Sequence, residues 1–253
     1  MVSELFLIWY LQVSISYMTQ NKVAIIGRGQ FGLFMSRHLD THCNVVLIGR
    51  DSDPSDISMC DVVIFAVPFE ALHDAAKRYK KFVHPKAIVV DVCSVKQKPI
   101  VVLTKHFPKH QILGTHPVFG PQSGKNGISG LPIVLCNVSC TKRTYQKIVT
   151  FLKEILLLSI IEETPKQHDH EMANVQALTH FIGRGLLHMN IKSYATNTQS
   201  YQHLIELTKL LQFDSWELFT TIQLANPEAK IVRKKLLKSL QSLEQDLLKS
   251  NVK

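Results

Sequence analysis

The 253-residue sequence has no Cys-x-x-Cys pair, no low-complexity tract, no internal repeat and no apolar run long enough to span a bilayer. Its five cysteines, Cys43, Cys60, Cys93, Cys136 and Cys140, are odd in number and stand apart from any cluster of further ligands. That speaks against a disulfide framework and against a zinc site, and predicts reduced thiols in a cytoplasmic protein without a metal. The apolar stretch over 5–11 has no basic segment before it, no small-residue cleavage site after it, and too few residues to cross a membrane. Acidic residues are scarce: 20 Asp and Glu face 29 Lys and Arg, nine positive charges in excess. A basic surface suits nucleic acid, an anionic membrane or anionic small molecules. The basic residues are dispersed and not interleaved with aromatics, and the one cluster, at 230–238, reads as the wet face of a helix. The partner expected is therefore an anionic small molecule, with no role for nucleic acid or membrane.

What is present is ordinary globular material, 45% hydrophobic and 19% charged, enough for one large or two modest domains. Residues 1–20 stand apart. Met18 sits just before the first strand, and 1–17 reads as an over-called start, an irregular extension, or an extra element packed on the core. From 21 to 165 the pattern alternates. Strands are predicted over 23–26, 45–48, 61–67, 87–92, 111–114 and 131–136, with helices over 70–82 and 144–155. Leu72, Ala75, Ala76 and Tyr79 face inward in the first of these helices. This order predicts a Rossmann-type, doubly wound, mostly parallel α/β sheet with its ligands at the carboxyl ends of the strands. From 166 to 253 the strand signal fades. Helices are predicted over 169–190, 201–211, 215–225 and 231–249, with Asn226-Pro227 as a break. Met172, Val175, Leu178, Ile182, Leu186 and Met189 form the inner side of the first, and Leu236, Leu240, Leu243 and Leu247 a seam along the last. This smaller all-helical C-terminal domain is too thin to bury its own apolar faces. It is expected to pack on the first domain, on a second subunit as a homodimer, or on both.

The stretch 22–32 sets the plan of the first domain. Gly27, Gly29 and Gly32 give the spacing G-x-G-x-x-G between a β-branched run and a helical pattern carried by Phe31, Leu33, Phe34, Met35 and Leu39. Gly27 allows the tight turn, Gly29 lets the backbone approach a pyrophosphate, and Gly32 lets the helix lie close to the strand. The helix N-terminus then offers free N–H groups to the phosphates. Nucleotide binding is set here against a plain tight turn, and the strand–turn–helix context favours the nucleotide. Cofactor contacts fall to Gly27, Arg28, Gly29, Gln30, Phe31 and Gly32, to Arg50, and to Val67 and Pro68 at the end of the third strand. An NAD site usually has Asp or Glu at the end of its second strand. Gly49 stands there, followed by Arg50, and Arg28 is within reach of the same corner. Two guanidiniums suit a 2′-phosphate, so NADP is expected. NAD stays open through Asp51, should the strand run further.

Two strand-end stretches carry chemistry. His116 lies in a glycine-bounded loop after the fifth strand, where it can accept a proton from a substrate hydroxyl, or simply bond local backbone. Ser94, after the fourth strand, can bond the same hydroxyl or cap a helix. Lys96 reads equally as an anion ligand or a solvated side chain. On residue type alone, His180 would be a core histidine and Arg184 a surface arginine.

Four stretches then occur in order: Gly27-Arg-Gly-Gln-Phe-Gly32, Asp91-Val-Cys-Ser-Val-Lys96, Gly114-Thr-His-Pro-Val-Phe-Gly-Pro-Gln-Ser-Gly124 and Gln176-Ala-Leu-Thr-His-Phe-Ile-Gly-Arg184. Together they resemble the prephenate/arogenate dehydrogenase family, in its short, plant-like branch, over roughly 22–229. The resemblance implies oxidative decarboxylation of a cyclohexadienol in tyrosine biosynthesis, giving 4-hydroxyphenylpyruvate from prephenate or tyrosine from arogenate. It makes His116 the catalytic partner of the 4-hydroxyl, with Ser94 assisting. It also turns His180, Arg184 and Gln176 toward the substrate, at i, i+4 spacing along one helix face. Arg184 is then the candidate for a substrate carboxylate. The further arginine motif of many bacterial members has no clear equivalent here, and the Tyr201…Asp214-Ser215-Trp216 region resembles the plant-like branch instead. An acid near the substrate's side-chain amine would favour arogenate. Around 223–227 there is none before Glu228, which leans to prephenate. The alternatives are another reductase on the same plan, which generally needs a helical-domain lysine not evident near His180, and a nucleotide-sensing protein without turnover.

Overall fold

The structure, a computed structural model, describes residues 21–250, so the N-terminal extension expected over 1–17 lies outside the described residues. The chain divides into two compact units, one ending at Pro165 and the other starting at Lys166.

The first unit is built on a seven-stranded sheet. Its strands are β1 (Lys22–Ile26), β2 (Asn44–Ile48), β3 (Val62–Phe65), β4 (Ile88–Asp91), β5 (Gln111–Pro117), β6 (Pro132–Asn137) and β7 (Ser159–Glu162). They lie in the order β2-β1-β3-β4-β5-β6-β7, and every neighbouring pair is parallel except β5 with β6. The β-branched runs are buried on both faces, as a parallel sheet requires. Ala24, Ile26, Val63, Phe65 and Val89 pack on one face with Leu72 and Ala76 of α2 (Phe69–Tyr79) and Leu103 of α3 (Gln97–His106). Val23, Ile25, Ile64, Val90 and Leu113 pack on the other. There they meet Leu39 of α1 (Gln30–Leu39) and Ile148 of α4 (Lys142–Thr150), which runs on as a π-helical turn Phe151–Ile155. This is the doubly wound Rossmann-type arrangement, with helices on both faces.

The structure redraws several boundaries. β3 stops at Phe65, so Val67 and Pro68 lie in the loop after it, with Pro68 as the N-cap of α2. Leu72, Ala76 and Tyr79 are buried in α2 as the periodicity predicts, and Ala75 packs from the margin. β5 does not end at Gly114. Its antiparallel pairing with β6 carries it through Pro117, so His116 is a strand residue and not a loop residue. Two elements give no sequence signal. α3 opens on polar Gln97 and Lys98, with Pro99 in its first turn, where a missing N–H costs no helical bond. β7 is an edge strand whose Ser159, Ile161 and Glu162 are exposed, so it shows no buried run.

In the second unit the long helical pattern is broken by a π-helical turn, Ala173–Ala177, between α5 (Pro165–Met172) and α6 (Leu178–His188). A π turn rotates the helix after it relative to the helix before it. Met172 is buried, whereas Val175 and Met189, expected on the inner side, are 57% and 72% exposed. α7 (Gln199–Leu211) is capped by Thr198, and α8 (Trp216–Thr220) by Ser215 before a second π turn, Thr221–Ala225. A Cβ on Gly183 would stand 2.2 Å from Leu211 Cδ1, so a small residue there allows α6 to lie tightly on α7. The last helix, α9 (Ala229–Lys249), leaves Leu240, Leu243 and Leu247 exposed. Among the described residues no helix is long and apolar enough to cross a membrane.

A Cβ on Gly32 would stand 1.9 Å from the Gly27 carbonyl oxygen. Gly32→Ala should therefore destabilise the first unit by about 1–3 kcal/mol. The measurement is a urea midpoint, which should fall at an unchanged m-value; a wild-type midpoint would rule out the close helix–strand contact.

Candidate active site

The glycine turn forms a cradle. Gly27 has φ +130°, and a Cβ there would lie 2.2 Å from the Ala66 carbonyl oxygen, so the position excludes a side chain. Its N–H donates to the Ile48 carbonyl at 2.9 Å, tying the turn to the end of β2. Gly29 is the extended N-cap of α1, and the space its Cβ would take is open. No side chain caps that helix and no acid sits in its first turn. The first N–H groups, from Gln30 to Gly32, have no partner within the helix. The cradle thus fits a pyrophosphate. Val67 lies against the Gly27 turn.

The turn after β2 gathers guanidiniums. Arg28 donates from Nε and Nη2 to the Leu47 carbonyl at 3.3 and 3.2 Å, and from Nη2 to Ser52 Oγ at 3.3 Å. Ser52 Oγ in turn accepts from the Gly49 N–H at 2.9 Å. A Cβ on Gly49 would meet Arg28 Cδ at 2.8 Å, so glycine at this position lets Arg28 lie across the strand end. Arg50 is exposed beside it. Arg78, from α2, donates to the carbonyls of Arg50 at 2.8 Å and Ser52 at 2.9 Å. Sequence reasoning missed Arg78 because it is distant in the chain. β2 ends at Ile48, which leaves Asp51 in an exposed turn and off the strand. The next acid, Asp53, accepts from the backbone and hydroxyl of Ser55, which hold its carboxyl below the usual range.

At the ends of β4 and β5 a charged group is buried. Lys96 is fully buried, so it is not the solvated side chain that was one of its two readings. Its Nζ pairs with Asp91 Oδ1 and donates to the Thr115 carbonyl at 2.5 Å. Asp91 Oδ1 also accepts from the Cys93 N–H at 3.0 Å, and Thr115 Oγ1 donates to the Asp91 carbonyl at 2.7 Å. His116 follows Thr115 and is buried; Ser94 follows Cys93 and is half-buried. Register pairs Asp91 with Gly114, so these two side chains leave neighbouring strand ends. Burial, and then the Asp91 charge, push the Cys93 thiol well up, which keeps it from acting as a thiolate.

The second unit holds its own cluster. His180 and Arg184 lie one turn apart on α6, while Gln176 falls in the preceding π turn and not on the continuous face the spacing implied. Gln176 Oε1 is buried and accepts no hydrogen bond from the described residues. Arg184 Nη2 donates to the Asp214 carbonyl, contacts the Ser215 carbonyl at 3.5 Å, and its guanidinium lies 5.6 Å from the Phe219 ring centre. His180 Nδ1 is 3.5 Å from Asp214 Oδ2. Sequence reasoning assigned Asp214 no role, although it lies in a stretch that resembles the plant-like branch. Burial raises its carboxyl against the pull of Arg184. Burial, and then the Arg184 charge, lower His180 to about 4, so the ring is neutral at pH 7 and its contact with Asp214 is not an ion pair. Among the described residues no group of three or more His, Cys, Asp or Glu is placed to hold a metal.

The His180 shift ties stability to pH. An unfolded chain takes up this proton near the ordinary value of 6.5 and the folded chain only near 4, so stability is lost as the pH falls through that window. Between pH 7 and pH 5 the loss due to His180 should be about 2 kcal/mol. Urea unfolding of wild type and His180→Gln at both pH values checks it: the wild type should lose more by that amount, and equal losses would contradict a depressed His180.

Comparison with known proteins places the chain. The family described as prephenate dehydrogenase, nucleotide-binding domain, matches residues 22–158, more than half of the chain. A second, described as TYRAAT1-like, C-terminal domain, matches residues 185–253. Arogenate dehydrogenase 2, chloroplastic, of Arabidopsis thaliana is 30% identical over 249 residues, covering 89% of this chain and 70% of the plant protein. Arogenate dehydrogenase 1, chloroplastic, of the same plant is 28% identical, covering 82% of this chain but only 36% of its own length. The crystal structure of prephenate dehydrogenase from A. aeolicus with hydroxyphenyl propionate and NAD+ shares the fold, with a TM-score of 0.71 at 19% identity over 92% of each chain. With the glycine cradle inside one matched segment and the plant similarity running through both units, the chain belongs to the prephenate/arogenate dehydrogenase family.

Proposed function

We propose that this chain is an NADP-preferring dehydrogenase that oxidatively decarboxylates a cyclohexadienol, arogenate ahead of prephenate, in tyrosine biosynthesis. The observation that carries this is the pairing of Ser94 and His116 on neighbouring strand ends, in the unit that also holds the glycine cradle. Gly27, Arg28, Gly29, Gln30, Phe31 and Gly32 would hold the dinucleotide, with Val67 and Pro68 beside it. A bound nicotinamide supplies the acceptor for the hydride from C4. His116 accepts the 4-hydroxyl proton and Ser94 holds the same oxygen, so electron density is available at C4 as the hydride departs. The electrons of the bond to the leaving carboxylate complete the aromatic ring as CO2 is released, and the phenolate oxygen so formed takes its proton back from His116, so the protein mainly needs to orient the donor. The guanidiniums of Arg28, Arg50 and Arg78 and the hydroxyl of Ser52 support a 2′-phosphate at the end of β2.

Asp214 supports arogenate. An acid beside His180 and Arg184 complements an ammonium, and Arg184, whose backbone contacts use Nη2, has donors on two other nitrogens for the neighbouring carboxylate. The acid absent around 223–227 is supplied from the turn before α8. A homodimer through the second unit is part of the same reading, supported by the exposed Leu240, Leu243 and Leu247.

Purified protein with NADP+ should reduce the nicotinamide when given arogenate, and more slowly with prephenate. His116→Asn should keep cofactor binding and lose about 10²–10⁴ in kcat. Asp214→Asn should shift the arogenate-to-prephenate ratio of kcat/KM about tenfold toward prephenate, and Arg50→Ala should narrow the preference for NADP+ over NAD+. No reduction by folded, cofactor-binding protein would point to another reductase or a sensor. Sedimentation should give a dimer that Leu243→Glu weakens; a monomeric wild type would remove the pairing.

A further inference from the structure

The mechanism leaves the buried charge of Lys96 without a task. A buried ion pair is a poor source of stability, because desolvation opposes the attraction and packed apolar side chains serve as well. Lys96 also stands at the N-cap position of α3, where the helix dipole disfavours a cation. Its contacts give it a different purpose. The ammonium donates to the carbonyl of Thr115, which is the peptide link to His116, and so fixes the plane from which the His116 side chain departs. The hydroxyl of Thr115 makes a second tie, to the Asp91 carbonyl. On the other side of the pair, the carboxylate oxygen that takes the ammonium also takes the Cys93 N–H, in the turn that delivers Ser94. Asp91 and Lys96 are both fully excluded from solvent, and Thr115 and His116 nearly so, which keeps water from loosening any of these bonds.

We propose that the Lys96–Asp91 pair is a positioning clamp for the two reacting side chains, with Asp91 setting the Ser94 turn and Lys96 setting His116. Neither residue touches substrate; each acts through a backbone group one residue away from Ser94 or His116. This rests on the dehydrogenase reading above and deepens it.

The test separates position from mere folding. Lys96→Met alone strands a buried carboxylate, so the variant of choice is Lys96→Met with Asp91→Asn, which removes both charges and keeps an acceptor for the Cys93 N–H. Stopped-flow mixing of the NADP+-loaded enzyme with arogenate or prephenate, whichever the wild type uses, reads two quantities: the amplitude of the first turnover and its rate constant. A displaced His116 lowers the rate constant at full amplitude, by about 10²-fold, with KM within about threefold of wild type. A purely structural role instead lowers the amplitude and leaves the rate constant alone. Thr115→Val keeps both charges and removes one tie, so it should lower the rate constant about tenfold, and it decides the matter if the double variant does not fold. A wild-type rate constant in the folded variant overturns the clamp, whatever the amplitude. A wild type that reduces no nicotinamide with either substrate overturns the functional reading and the clamp with it, whereas wild-type turnover with unimpaired variants overturns the clamp alone.

Discussion

Five parallel strands bring their carboxyl ends to one edge of the sheet, and nearly everything chemical in the first unit depends on that constraint. A parallel strand cannot turn back on itself, so each connection must leave at the same edge and cross over a face. The turns after β1, β2, β3 and β4 therefore lie side by side, delivering the glycine cradle, the arginine corner, Val67 with Pro68, and Ser94. β5 completes the row. Its antiparallel pairing with β6 carries it past Gly114 through His116 and Pro117 before the chain turns back at that edge. The candidate catalytic histidine is thus held by strand pairing and not by a loop.

The electrostatics of the two units differ in kind. In the first, cations gather where they remain exposed, around the turn after β2, and the buried Lys96 has an acid for company. Guanidiniums held by backbone carbonyls keep their charge available to an anion. In the second, His180, Arg184 and Asp214 lie close together with partial burial, and burial is the main cause of their shifts: the imidazole is lowered and stays neutral, and the carboxyl is raised against the pull of Arg184. A neutral ring next to an acid and a guanidinium can donate or accept a hydrogen bond without adding a further charge.

Short-range pattern made most of this legible in the amino-acid sequence. The alternation of β-branched runs with helical periodicity gave the doubly wound sheet, since a strand buried on both faces has little other composition open to it. The glycine spacing gave the cradle, because only glycine tolerates the Gly27 conformation and the Gly32 approach. The family resemblance rested on motifs in His116, Ser94, His180 and Arg184, and the similarity to known dehydrogenases runs through the same stretches. Where sequence reading failed, the signal was weak for a physical reason. α3 begins with polar residues and a proline, β7 lies on an edge, and a π turn shifts the register of the long helix.

By itself the sequence determined which residue types could do the chemistry and on which elements they sit, because local propensity and backbone geometry are written in neighbouring residues. The tertiary structure alone decided what those residues touch. Lys96 read equally as an anion ligand or a solvated side chain until strand pairing closed Thr115 over it; Arg78 joined the corner after β2 only when α2 packed beside it; and Asp214 became a neighbour of His180 when α6 and α7 came together. Such partners are separated by 19 to 34 residues in the chain, and no periodicity reports a contact made across that distance. Burial then lowered His180 and raised Asp214, an effect that depends on what surrounds a group and not on its identity.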